Sequence, residues 1–180
     1  MQVRSASETD LAAIQAIYAH HVLNGTGSFE EIPPSVEEMT ERFRNVAARG
    51  CAWLVAEDES GVLGYGYYAQ FRPRSAYRYT CENSVYVRED VRRQGVGKAL
   101  LAKLLQAAEG QGFRQMIAVI GDAENTASVG VHASLGFSRV AHLKSCGLKF
   151  GRWLDCIYMQ TALGRGAADV PAAAGLRAEA

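Results

Sequence analysis

The chain has 180 residues, 48% of them hydrophobic and 21% charged, and its 19 basic side chains balance 19 acidic ones. That length suits one domain with a substantial core, and a net charge of zero supplies no global field for nucleic acid or an anionic membrane, so any anion site must be local. No apolar run approaches the roughly 18 residues of a membrane span, and Cys51, Cys81, Cys146 and Cys156 form no CxxC pair of the zinc or disulfide kind; a cytoplasmic protein with reduced thiols is expected.

Residues 2–5 read as a short strand. Ser7 and Asp10 form an S-x-x-D signal before Leu11, Ile14, Ile17 and Tyr18, predicting a helix that ends near Asn24-Gly25. GTGSFEEIPP follows neither period and holds two prolines, so it reads as a loop, after which Ser35 and Glu38 open a second helix over 35–48. CAWLVAED and VLGYGYYAQF, joined by Glu59-Ser60-Gly61, have the aromatic and β-branched content of a hairpin, and TCENSVYV reads as the next strand.

Beyond RRQGVG, Leu100, Leu101, Leu104, Leu105 and Ala108 recur at helical spacing up to Gly110 and Gly112. RQMIAVIG is a continuous apolar run of the kind covered on both faces, and NTASVGVHASLG predicts a helix stopped by Gly136. Strands near 137–146 and 153–161 complete a single domain over residues 1–163. The Ala/Gly-rich stretch 164–180 shows no apolar face and is expected to be a flexible tail, since it cannot offset its own ordering entropy.

Gly95 and Gly97 stand at the junction between a strand and an amphipathic helix, where glycine does nothing for helix stability. A tight turn leading into a helix N-terminus leaves backbone N–H groups unpaired at the positive end of the helix dipole, and Arg92, Arg93 and Lys98 add charge there, so phosphate or pyrophosphate is the expected ligand. A Walker A loop is excluded because Arg92 stands where its first glycine belongs and Ala99 follows Lys98. A dinucleotide fingerprint fails at Leu100, which occupies the place of the third glycine or alanine.

R-x-x-G-x-G over residues 92–97, directly after SVYV, resembles the pyrophosphate motif of the GNAT superfamily of N-acetyltransferases. Asn125, His132 and Gly136-Phe137, in the pattern N-x6-H-x3-G-F, resemble the second half of that family's cofactor site, with histidine where a tyrosine is usual. FEEIPPS, FRPRSAYRYTCENSVYV, MIAVIG, VHASLGF and GLKFGRWLD are together similar to the phosphinothricin and methionine sulfoximine acetyltransferase branch, over about residues 2–162.

The resemblance implies an α/β (α+β) GNAT fold: a mixed, mostly antiparallel central sheet of about six or seven strands flanked by about four helices, with a splayed strand pair forming the acetyl-CoA cleft. It implies acetyl-CoA as cosubstrate, no metal, and a homodimer acting on a small amino-acid-like substrate rather than on nucleic acid or at a membrane. Cofactor contacts would come from Val85, Tyr86 and Val87, from Arg92, Arg93, Gln94, Gly95, Val96, Gly97 and Lys98, and from Asn125 and Ser128. The branch acetylates the α-amino group of phosphinothricin, methionine sulfoximine or methionine sulfone.

Such chemistry needs a base, because an α-amino group with a pKa of about 8 is largely protonated at neutral pH. Glu82, an acidic residue in an otherwise apolar strand, is the candidate, and the alternative is an ion pair with Arg74 or Arg78. A backbone N–H near Val85–Val87 would stabilise the oxygen of the tetrahedral intermediate. His132 would protonate the leaving thiolate.

Phe29, Arg72, Arg74 and Tyr77, with Glu82, would form the substrate pocket; Arg72 and Arg74 share a side if the chain there is extended. Alternation directs Cys81 away from Glu82, against a covalent route through its thiol, and His20-His21 lacks a third ligand at metal spacing. A peptide or protein N-terminal acetyltransferase and a non-catalytic acyl-CoA sensor are the competing readings.

Overall fold

Seven segments rich in β-branched and aromatic residues form one sheet in the computed structural model, which describes residues 1–171. They are β1 (Gln2–Ser5), β2 (Trp53–Asp58), β3 (Gly61–Gln70), β4 (Thr80–Val87), β5 (Gln115–Gly121), β6 (Ser138–Lys149) and β7 (Arg152–Ala162), in the order β1-β2-β3-β4-β5-β7-β6. Every neighbouring pair is antiparallel except β4 and β5, which run parallel. The mixed, mostly antiparallel sheet expected from the sequence is present.

Four helices flank it: α1 (Leu11–Asn24), α2 (Val36–Ala48), α3 (Val96–Gly110) and α4 (Thr126–Ala133). Their starts are local. A 3-10 turn over Glu8–Asp10 leads into α1, with the Asp10 carboxylate accepting from Ser7 N–H at 2.8 Å. Ser35 Oγ accepts from Glu38 N–H to open α2, and Asn125 Oδ1 accepts from Ser128 N–H to open α4. Arg4 then ties β1 to this corner by bridging Asp10 and Glu57, and its guanidinium holds the Asp10 carboxyl down to about 2.

The alternation of β2, β3 and β4 divides the core in two. On one face α1 and α2 cover Trp53, Val55 and Tyr65; the rings of Trp53, Tyr65 and Tyr86 stack in a row, and Tyr18 meets Tyr86 edge-on at its end. On the other, Leu100, Leu101 and Leu104 of α3 are fully buried against Leu54, Tyr68, Cys81 and Met116. Each such leucine contributes about 2 kcal/mol of burial free energy, so α3 is docked firmly against the sheet.

Pairing between β4 and β5 runs only from Thr80↔Gln115 to Asn83↔Ala118. Beyond it, residues 84–87 stay with β3 while residues 119–121 stay with β7. The two strands therefore part after Asn83, as a splayed pair must.

Three expectations change in detail. β5 is buried on one face only, at Met116, Ala118 and Ile120; Ile117 and Val119 remain half-buried, because α1 and α2 pack on β2, β3 and β4 instead. FRPRSAY is not extended: it bends into a 3-10 turn at Ser75–Tyr77, held by the Gln70 amide, which donates to the carbonyls of Arg72 and Arg74. β6 reaches Lys149 because a register irregularity between Leu143 and Gly147 lets pairing resume. Of the predicted tail, residues 164–171 form turns with an Arg114–Asp169 ion pair at 3.0 Å, and residues 172–180 lie outside the described residues.

Candidate active site

Glu82 and Asn83 are neighbours at the point where β4 and β5 part, so strand alternation sends them to opposite faces of the sheet. Asn83, like Cys81, faces α3 and α4; Glu82 faces the side of α1 and α2. Cys81 is fully enclosed in the α3 core, where burial pushes its thiol up, so it is neither accessible nor a ready thiolate.

The Glu82 carboxylate is half-buried, and burial raises its pKa above the ordinary range against the opposing pull of the Arg72 charge. Among the described residues it makes no ion pair. Arg78 instead lies over the Tyr79 ring at 4.9 Å, and Arg72 over the Phe71 ring at 4.2 Å. A carboxylate that is unpaired and pushed toward neutrality is suited to accept a proton.

Across the sheet, His132 is buried, and burial lowers its pKa. Its Nδ1 is 2.8 Å from Ser128 O, its Nε2 is 3.1 Å from Asn83 Oδ1, and its ring meets Phe137 edge-on at 5.0 Å. Asn125, Ser128 and His132 thus fall at helical spacing along α4, with Asn125 serving as its N-cap.

The turn before α3 provides the anion cradle. Gly95 has φ 82°, a left-handed conformation that glycine adopts without strain, and Arg93 has φ 64° beside it. Gly95 O accepts from Ala99 N–H, leaving the N–H groups of Val96, Gly97 and Lys98 without intrahelical partners. Arg93, Gln94 and Lys98 are exposed at this rim, and Arg92 pairs with Glu89 at 2.6 Å. A Cβ placed on Gly97 would lie 3.5 Å from Val87 and 3.9 Å from Val85, so the helix start borders the splayed strand directly. Tyr86, between those valines, sends its ring into the aromatic row on the opposite face.

On the α1 and α2 side, Phe29 sits over the backbone of Gly147 and Gly121; a Cβ on Gly147 would overlap its ring. Its loop is tied down by buried groups. Lys149 Nζ donates to Gly25 O at 2.9 Å and Ser28 O at 2.7 Å, while Thr26 Oγ1 and Arg152 both donate to Asp122. Arg74 and Tyr77 are exposed in the β3–β4 loop. Of Arg72 and Arg74, Arg72 is the one whose charge pulls against the raised Glu82 pKa.

Sequence reasoning missed Asn83, Lys149, Asp122 and Gly147. Asn83 had a signal, as a second polar residue in the apolar strand that holds Glu82. The other three had none, because their partners lie in a loop about 100 residues away.

An anion cradle, a half-buried carboxylate and a buried imidazole around one opening between parallel strands suit the deprotonation of an amine beside a phosphorylated acyl carrier. Residues 3–158 match the Acetyltransferase (GNAT) domain family, and the chain belongs to the GNAT acetyltransferases. The chain is 51% identical to a phosphinothricin N-acetyltransferase of Alcaligenes faecalis, covering 94% of this chain and 86% of that one. It is 42% identical to the L-methionine sulfoximine/L-methionine sulfone acetyltransferase of Pseudomonas aeruginosa, covering 88% and 92%. A phosphinothricin acetyltransferase from Sinorhizobium meliloti, solved in complex with AcCoA, superposes with a TM-score of 0.95 at 44% identity, covering 98% and 96%.

Proposed function

We propose that the enzyme transfers an acetyl group from acetyl-CoA to the α-amino group of a small amino-acid-like substrate: methionine sulfoximine, methionine sulfone or phosphinothricin. The observation that carries this reading is the pair of neighbours at the strand split, with Glu82 facing one side of the sheet and Asn83, joined to His132, facing the other. A base and an acid thus address one opening from two faces.

Acetyl-CoA supplies the acyl thioester when bound. The residues present fit it: N–H groups of Val96, Gly97 and Lys98 and the side chains of Arg92, Arg93, Gln94 and Lys98 would hold the pyrophosphate, and the backbone of Val85–Val87 with Asn125 and Ser128 would hold the pantetheine arm. Glu82 takes a proton from the substrate ammonium, directly or through one water, and its raised pKa suits that task near neutral pH. His132 gives a proton to the departing thiolate, which leaves as the free thiol. Phe29 walls the aliphatic part of the substrate, while Arg72, with Arg74 and Tyr77 from the same loop, grips its carboxylate or oxidised head group.

A cytoplasmic homodimer completes the proposal. It is supported by four free cysteines and by the exposure of Leu143, Leu148, Phe150 and Trp153 on the β6–β7 hairpin, an apolar surface that a second copy would cover.

Thiol release from acetyl-CoA, measured over a panel of amino acids, sulfoximines and peptides, tests the reading. Release is expected only with an amine present, preferring oxidised head groups over methionine, whose thioether accepts hydrogen bonds weakly. Arg72→Ala should lower efficiency about tenfold, roughly 1.4 kcal/mol, and Arg74→Ala by less. Preference for peptides, or saturable cofactor binding without release, would overturn it.

A further inference from the structure

A neutral imidazole has one N–H and one nitrogen lone pair, yet both ring nitrogens of His132 face oxygen acceptors. Nδ1 lies 2.8 Å from the Ser128 carbonyl and Nε2 lies 3.1 Å from Asn83 Oδ1. The Asn83 amide is not free to turn and offer its NH2 instead, because its Nδ2 donates to Ile117 O at 3.1 Å. Turning it would press its oxygen against that carbonyl. The doubly protonated ring satisfies both contacts, and a neutral ring can do so at Nε2 only by keeping its proton there, with the Ser128 hydroxyl, 3.4 Å from Nδ1, as the donor to the other nitrogen; loss of the Nε2 proton leaves a lone pair opposed to Asn83 Oδ1.

Asn83 and His132 are each only 6% exposed, so this opposition acts with little screening by water. The charged side chains on the elements around the ring stand apart from it. Lys98, Lys103 and Glu109 of α3 are exposed, Glu82 of β4 faces the other side of the sheet, β5 carries no charged residue, and α4 itself carries none. What sets the ring's protonation is therefore burial, which opposes the charged form, against the two oxygens, which favour it.

We propose that Asn83 is a positioning residue whose carbonyl oxygen holds a proton on Nε2 of His132. This deepens the reading of His132 as the acid. In the transfer step that proton leaves Nε2 for the thiolate sulfur, the N–H bond breaking as the S–H bond forms; the ring remains neutral with Nδ1–H on Ser128 O and regains its proton from water.

The test is an NMR titration of 15N-histidine-labelled protein, with the His132 signal assigned by its loss in His132→Phe. Asn83→Leu removes the acceptor at similar size and should lower the His132 midpoint by about one pH unit, whereas Asn83→Asp, which keeps and strengthens it, should raise the midpoint by about as much. Shifts of opposite sign are not expected from a packing role. Midpoints that stay put, or that move the same way in both variants, overturn the proposal. If Asn83→Leu does not fold, Asn83→Asp carries the test alone, and an unchanged or lowered midpoint overturns it. Because the titration needs no turnover, its failure is distinguishable from failure of the acid role.

Discussion

On the α3 and α4 side of the sheet, the site comes from two short stretches, residues 92–98 and 125–132, each carrying its own turn, helix start and polar groups. On the α1 and α2 side, Phe29 comes from the loop after α1 and Gly147 and Lys149 from β6, and they meet because buried ties join them, Lys149 to Gly25 and Ser28 above all. The proposed cofactor side thus depends on local backbone geometry and the proposed substrate side on long-range packing. The first should be disrupted by changes at a turn, the second by changes at distant contacts.

The largest effect should come from the residue where the two sides meet. Glu82→Gln is expected to lower kcat by about 10²-fold or more while leaving acetyl-CoA affinity nearly unchanged. The parent should lose activity as pH falls through the raised Glu82 pKa, and the variant's residual rate should lack that limb. A shared pH–rate profile would remove Glu82 from proton transfer.

His132→Phe should slow transfer from acetyl-CoA about tenfold to 10²-fold and be partly rescued by an acyl donor with a more acidic leaving thiol. Equal slowing with every donor would mean that the ring acts through packing.

Two substitutions separate the sides. Gly97→Val puts a branched side chain beside Val85 and Val87 and should weaken acetyl-CoA binding by at least about tenfold in calorimetry, roughly 1.4 kcal/mol. Gly147→Ala displaces Phe29 and should instead raise KM for the amine several-fold, with acetyl-CoA affinity within about twofold of the parent. Loss of cofactor binding in Gly147→Ala, or of amine selectivity alone in Gly97→Val, would break the division.

The smallest effect is on stability. The folded state raises the Glu82 pKa, so the neutral form is favoured and its stabilisation is present in acid but lost as pH rises through the folded value. Glu82→Gln should therefore match the parent's melting temperature in acid, below the ordinary glutamate pKa of about 4.3, and exceed it near neutrality. A variant less stable than the parent at neutral pH would mean that the carboxylate has a partner in solution.

Helix starts at Ser35 and Asn125, the left-handed turn at Gly95, the apolar stripe of α3 and the alternation that separates Glu82 from Cys81 were all legible in the sequence. Each depends on residues within about one helical turn or a few strand positions, the range over which periodicity and capping act. The sequence by itself thus determined the elements, the anion cradle and the candidate base. Tertiary structure decided where β4 and β5 part, that FRPRSAY bends at Ser75–Tyr77 rather than running extended, that Asn83 meets His132, and that Lys149 is buried beneath the Phe29 loop. Asn83 and His132 are 49 positions apart and Lys149 and Ser28 are 121 apart, and which distant partners meet is settled by packing and burial, to which no local period corresponds.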